Sequence, residues 1–276
     1  MTASRLTTRR VEKPWGRTQL WPGFADADKD PVGEIWFEAP DGQAPELLIK
    51  YLFTSEKLSI QVHPNDAQAR ERGYPRGKEE AWVILAAEPD AVIGLGLTRT
   101  ISPEALRAAA LDGSIEQMMD WRPVKAGDIL YSPAGTIHAI GPGLTLIEAQ
   151  QNVDLTYRLY DYGRPRELHL DDGIAVSKPE PFTGSVHPRM LADNRELLIE
   201  GGKFILERWR GAYSGGFQTH LPVWMTVVTG AGAIDGQAFS AGECWLVHNA
   251  AQVALAARAE ILLAYPGQEV MSAHIG

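Results

Sequence analysis

Cysteine is nearly missing from the 276 residues. Cys244 stands alone, so no intrachain disulfide can form, and zinc-ribbon or paired-thiol chemistry is excluded. Such a chain is expected in a reducing compartment, the cytoplasm. Positive charge is scarce as well: 26 Lys and Arg face 35 Asp and Glu, a net charge of −9. That balance argues against nucleic acid or an anionic membrane as partner. It leaves room for a small anionic substrate, which needs only a local cluster of cations. No apolar run reaches the roughly 18 residues of a membrane span. Met1 to Arg10 carries three arginines, and no apolar signal-peptide core follows them. The expectation is a soluble monomer or homodimer.

What is present is an ordinary globular balance, 45% hydrophobic and 22% charged, with 27 glycines and 18 prolines to supply turns. Short apolar or alternating runs at 46–53, 58–63, 81–85, 91–95, 129–132, 144–149 and 155–160 lie between turn signals. They read as strands of a sandwich or barrel. Ser102-Pro103-Glu104 is an N-cap with proline at the first helical position, and residues 105–111 favour a helix that Asp112-Gly113 stops. Ser114 to Gln117 reads as a capping box opening a second short helix that ends near Trp121. Residues 177–194 hold Pro179, Pro181 and Pro188 and read as a linker or a crossing between domains. Beyond them, runs at 203–209, 224–228, 233–239, 243–247, 252–256 and 261–265 again suggest strands. The expected organisation is a first β unit over 1–178 and a second over 179–276.

Four segments carry chemistry. In 58–64, strand alternation puts Ser59, Gln61 and His63 on one face and Ile60 and Val62 on the other. In 77–82, Lys78, Glu80 and Trp82 share a face in the same way. In 127–138, Gly127, Pro133, Gly135 and His138 follow a turn, strand and Pro-Gly bend that would aim the histidine into a barrel mouth. In 152–161, Asp154, Thr156 and Arg158 alternate with apolar neighbours. Taken singly, the first reads equally as a polar strand face, the second as a solvated charge run, the third as a turn, and the fourth as an exposed ion pair. Taken together, the first three deliver Gln61, His63, Glu80 and His138 from separate strands. Two imidazoles, a carboxylate and an amide oxygen form a borderline set suited to Zn2+, and also to Mn2+, Fe2+ or Co2+.

The spacing in 127–138 matches the second motif of the cupin superfamily, except that Pro142 stands where the motif ends in asparagine. With Leu58 to Pro64, Gly77 to Trp82, Pro133 to Ala139 and Asp154 to Arg158 in family order, the chain resembles type I phosphomannose isomerase in its short bacterial form. Lys13 to Gly16 and Gly33 to Trp36 look like the family's opening. The resemblance implies two cupin-like jelly-roll barrels, mainly β, with a short helical insert in the first. The second barrel is expected to be degenerate and metal-free, since Gly242 to Val247 is followed by His248 where proline would sit.

The same resemblance implies one divalent metal, Zn2+ by expectation, on Gln61, His63, Glu80 and His138, with Glu79 as the ligand if the register shifts by one. It implies catalytic roles for Arg158, Lys78 and Asp154, and a phosphate side at Ser59 and Lys50. Longer members carry a tyrosine where this chain has Ile140. The implied activity is the interconversion of mannose 6-phosphate and fructose 6-phosphate through an enediol. Lys78, Asp154 or a water on the metal stand as its acid and base. A metal-binding sugar-phosphate sensor and an Fe2+ cupin dioxygenase are the alternatives.

Overall fold

The computed structural model describes residues 3–21, 23–40 and 45–274. Its strands form four sheets of antiparallel pairs. In the first unit a six-stranded sheet runs in the order Thr7–Arg17, Val32–Glu38, Leu47–Thr54, Leu144–Gln151, Glu80–Ala87, Ile129–Ser132. It faces a five-stranded sheet ordered Tyr157–Tyr160, Ile60–Val62, His138–Ile140, Val92–Leu97, Met119–Pro123. The second unit pairs a seven-stranded sheet, centred on Val223–Thr229 and Glu260–Pro266, with a five-stranded one around Ala250–Leu255. The mainly β reading holds.

Strand alternation explains how one sheet serves two cores. In Leu47–Thr54 all eight residues are buried. Ile49, Tyr51 and Phe53 pack outward against Leu198, Phe204, Leu206, Trp224 and Leu262 of the second unit. Leu52 packs inward with Trp82, Ile84, Leu146, Ile93 and Ile140. The two units therefore share an apolar interface, at roughly 1.5–3 kcal/mol per large side chain buried. They are also stitched by the chain itself: Ala3–Arg5 pairs with Cys244–Val247 at the edge of the seven-stranded sheet.

The helix Pro103–Asp112 forms as its sequence suggests. Ser102 accepts from the Ala105 amide at 3.2 Å, and Gly113 closes it in the left-handed region. Leu106, Ala109 and Ala110 bury against the back of the five-stranded sheet. The next turn differs. Ser114 makes no cap bond, because its own backbone is helical where a capping residue is extended; its amide donates to Asp112 Oδ1 at 2.8 Å, and Ile115–Met118 gives way to a strand at Met119. Nor is 177–194 a free linker: the amides of Leu97, Ile101 and Lys178 bond Glu180, Pro179 and Gly135, and Arg189–Ala192 pairs as an edge strand. Proline there fits, since an extended segment crossing a sheet needs few amide donors. Thr7–Arg17 was not expected as a strand. It is a mostly exposed edge strand, so its sequence lacks an apolar face.

Candidate metal centre

Glu80, Trp82 and Ile84 point inward from their strand, while Ala81 and Val83 point to the second unit. This alternation puts Glu80 into the first sandwich and its neighbour Glu79 outside, where Tyr131 donates to its carboxylate. Glu80, His63 and His138 converge, with one ligand atom from each within 4.8 Å of the others. His63 follows the strand Ile60–Val62 and His138 opens His138–Ile140, which pair through His138 and Gln61. The bend before His138 turns at Gly135, whose φ of +87° a side chain would strain, and whose amide bonds His63 O at 2.8 Å. At Gly77 a Cβ would stand 2.4 Å from Pro64 O, so only glycine lets the loop of Glu80 lie against the loop after His63.

The proton positions follow from the partners. His63 Nδ1 lies 3.0 Å from Leu155 O, and His138 Nδ1 lies 3.0 Å from Thr136 O. A carbonyl only accepts, so each Nδ1 carries a proton and each Nε2 is the nitrogen turned toward Glu80. His63 Nε2 is 3.3 Å from Glu80 Oε1, and His138 Nε2 is 3.3 Å from Glu80 Oε2. Burial, with Lys78 next, pushes His63 down to about 3, so its imidazole is neutral. Burial would raise Glu80, but Lys78, with its ammonium 2.8 Å from Oε1, holds it well below the usual carboxylate range.

Two atoms of this cluster, His63 Nε2 and Glu80 Oε2, are buried without a hydrogen-bond partner. Lone pairs left unspent in a dry site cost free energy unless something positive takes them up. Imidazoles fixed by second bonds through Nδ1, together with an ionised carboxylate, are the donors a divalent cation takes. The residues fit a metal. Gln61 adjoins them, its Nε2 3.2 Å from His138 Nε2 and its Oε1 accepting from Ser59 Oγ at 3.2 Å. A half-turn of the amide would present the oxygen instead, and the Ser59 hydroxyl could accept where it now donates.

A cavity opens beside the cluster. It is lined by Ser59, Gln61, Lys78, Glu80, Asp154 and Arg158, and also by Glu34, Trp36, Lys50, Glu148, Ile140 and Arg166. Lys50 stands inside with its ammonium 2.8 Å from Glu148 and 3.5 Å from Glu34. Burial opposes its charge, yet Glu148, Glu34 and Glu80 together raise its pKa. Glu34 also accepts from Trp36 Nε1 at 2.5 Å, and Glu148 from Trp82 Nε1 at 2.8 Å. Asp154 is exposed at the mouth and precedes the strand Tyr157–Tyr160, which carries Arg158.

Arg158 donates through Nη1 to Glu167 O at 2.7 Å, and its buried Nε has no partner. Burial and then Arg166 lower its pKa, against Asp161. Arg164 and Arg166 both grip Asp161, Arg166 through two bonds of 2.6 Å. Every residue singled out in the sequence for a site, the alternative ligand Glu79 excepted, lines this cavity or stands in the cluster beside it. Glu34, Trp36, Glu148 and Arg166 were overlooked. Glu148 could have been found from alternation, since it shares the inward face of Leu144–Gln151 with Leu146 and Gln150. Arg166 lies in a loop, where no periodicity points.

No family model matches the chain. Mannose-6-phosphate isomerase ManA of Bacillus subtilis is 37% identical over 221 residues, 73% of this chain and 69% of its own length. Mannose-6-phosphate isomerase of Streptococcus mutans is 35% identical over 201 residues, 68% of this chain and 62% of that protein. The crystal structure of mannose 6-phosphate isomerase from Bacillus subtilis has a TM-score of 0.83 over 96% of this chain and 99% of that one, at 24% identity. Phosphomannose isomerase from Salmonella typhimurium reaches 0.77 over 96% and 100% at 14% identity, a likeness of fold. Relatives at these identities and shares place this chain in the mannose-6-phosphate isomerase family, with its cupin fold.

Proposed function

We propose that the protein interconverts mannose 6-phosphate and fructose 6-phosphate, with residues 1–178 as the catalytic unit and 179–276 as a metal-free second unit. One observation carries this reading: the His63–Glu80–His138 cluster opens onto a cavity lined both by lysines matched to carboxylates and by the arginines Arg158 and Arg166. Lys50 stands between two carboxylates, Glu34 and Glu148, and Lys13 reaches Glu34 at 4.0 Å. Arg166 pairs with Asp161, which it shares with Arg164, and Arg158 adds a further charge to the wall. A hexose phosphate needs both kinds of partner, cations for its dianion and matched polar groups for its hydroxyls. Its dianion belongs at Arg166, with the Ser59 hydroxyl on the wall, and its hydroxyls belong at Glu34, Lys50 and Glu148. Lys50 thus serves the sugar, since its charge is already matched.

The reaction moves a proton between C2 and C1 and builds negative charge on the intervening oxygens. Arg158, with an unspent buried Nε, is set to stabilise that charge. Lys78 beside Glu80 and Asp154 at the mouth are the groups able to hold the proton. A metal on Gln61, His63, Glu80 and His138 would polarise the substrate oxygens when bound, and the borderline nitrogen and oxygen donors suit Zn2+. The test is direct. Purified protein, analysed for bound metal, is given mannose 6-phosphate, and fructose 6-phosphate is measured by a coupled assay. Metal-loaded protein without turnover would refute the reading.

A further inference from the structure

The second unit reaches the loop that precedes Glu80 through two side chains of the first, Asp66 and Tyr131, and both contacts belong to one turn. That turn, residues 201–203, joins Arg195–Glu200 to Phe204–Arg210. Lys203 Nζ lies 2.8 Å from Asp66 Oδ2. Asp66 Oδ1 in turn accepts from the Gly77 amide at 2.8 Å and from Gln151 Nε2 at 3.1 Å. Gln151 Oε1 accepts from the Glu79 amide at 3.2 Å, and the Gln151 amide donates to Glu79 O at 3.1 Å. The Glu79 side chain accepts from Tyr131, whose hydroxyl accepts from the Gly202 amide at 3.2 Å. The contacts close a ring that starts at Lys203 and ends at Gly202. The turn is itself held by its own unit, through Gln268 to Gly202 O at 2.9 Å and the Gly267 amide to Lys203 O at 3.0 Å.

We propose that this turn is a clasp, with Lys203 and Gly202 as positioning residues that fix residues 77–79, just before the strand Glu80–Ala87, and so hold Lys78 against Glu80 at the metal centre. The inference rests on the metal-centre reading above and assigns the second unit a part in it. Residues 77–79 precede the strand Glu80–Ala87, so the ring and the Lys78 amide bond to Pro64 O are what hold them. Partners bonded to a ligand itself commonly change metal affinity or activity by 10–100-fold, and this clasp acts one step further out, through the backbone that leads into Glu80. Part of the Lys203–Asp66 pair is exposed, which places the clasp at the low end of that range.

The full chain is compared as wild type, Lys203→Met, Tyr131→Phe, the double variant and Lys203→Arg. Release of metal to EDTA, amide exchange of residues 77–80 in metal-free protein, and isomerase kinetics are read. The double variant is expected to release metal about 10-fold faster and to lose about 10-fold in kcat at unchanged KM, with faster exchange at 77–80. Lys203→Arg should restore the wild-type release rate. Wild-type release and exchange in the double variant, with only a lower melting point, would overturn the clasp. Wild-type protein that bound no metal would sink the metal-centre reading instead, and the exchange measurement would still decide whether the turn holds the loop.

Discussion

The two sandwiches are built alike and differ in what their strands send inward. The second fills its interior with Trp209, Met225, Val227, Trp245, Ile261 and Leu263 against Phe217 and Phe239. Its buried Glu207 is fully engaged, by Arg195 at 2.5 and 2.7 Å, by Trp209 at 2.9 Å and by Tyr265. The first sends in Glu34, Lys50, Glu80 and Glu148, and leaves His63 Nε2 and Glu80 Oε2 without partners. One unit spends its inward positions on packing and the other on a cavity with unspent donor atoms. The fold sets which positions face inward, and the residues at a handful of them decide whether the result is a core or a site.

The sharpest way to break this contrast is to remove a donor from the first unit. His138→Ala is expected to abolish stoichiometric metal by elemental analysis and to cost at least about 100-fold in kcat. Arg158→Ala should keep the metal and lose about 100- to 1000-fold in turnover. Retained turnover in Arg158→Ala would remove it from the chemistry.

The reciprocal change belongs to the second unit. Glu207→Ala leaves the part-buried Arg195 with only the Met271 carbonyl and is expected to cost about 3 kcal/mol in urea unfolding. The folded fraction should hold metal as wild type does. Loss of metal from folded Glu207→Ala would mean that the two interiors are not separate in function.

A smaller effect sharpens the division of roles within the cavity. Arg166→Ala should raise KM for mannose 6-phosphate by about 10-fold or more with a lesser change in kcat, since a charged hydrogen bond carries roughly 1.5–3 kcal/mol. Inhibition by inorganic phosphate should weaken by a similar factor. Lys50→Met should leave phosphate inhibition unchanged, because Glu34 and Glu148 already neutralise Lys50. Weaker phosphate binding in Lys50→Met would return the anion site to Lys50.

Much of this was legible in the chain because alternation is a strong signal. Ser59, Gln61 and His63 in one run and Lys78 and Glu80 in another fall on shared faces by period alone, and Ser102-Pro103 marks a helix start. The choice of Glu80 over Glu79 was not legible. It depends on where the strand begins, which is set by pairing of Glu80 with Ser132 and Gln150. The short helices Asp66–Glu71 and Leu170–Val176 were missed because each buries too few residues to imprint a period. Glu34 and Glu148 were missed for a different reason: a buried carboxylate makes sense only once Lys50, two strands away in the sheet from neither, is known to face it. Pairing between distant strands supplies what local pattern lacks.

The smallest prediction concerns the seam between the units. Burial would raise the pKa of Asp66, but Lys203, the Gly77 amide and Gln151 outweigh it and lower it to about 2. A carboxyl more acidic in the folded than in the unfolded chain stabilises the fold above its unfolded pKa, and that stability is lost as pH falls toward the folded value. The window runs from the model-peptide value of 3.8 down to about 2. With the side chain 19% exposed, solvent screening reduces the contribution to about 1 kcal/mol. Asp66→Asn should therefore be less stable than wild type by about that amount at pH 6, and the gap should narrow below pH 4 and close near pH 2. Other depressed carboxylates such as Asp161 titrate alike in both proteins, so the difference between the two urea curves isolates Asp66. A gap that stayed constant from pH 6 to pH 2.5 would show that the Asp66 contacts hold the seam by shape and hydrogen bonding alone, with no contribution from its charge.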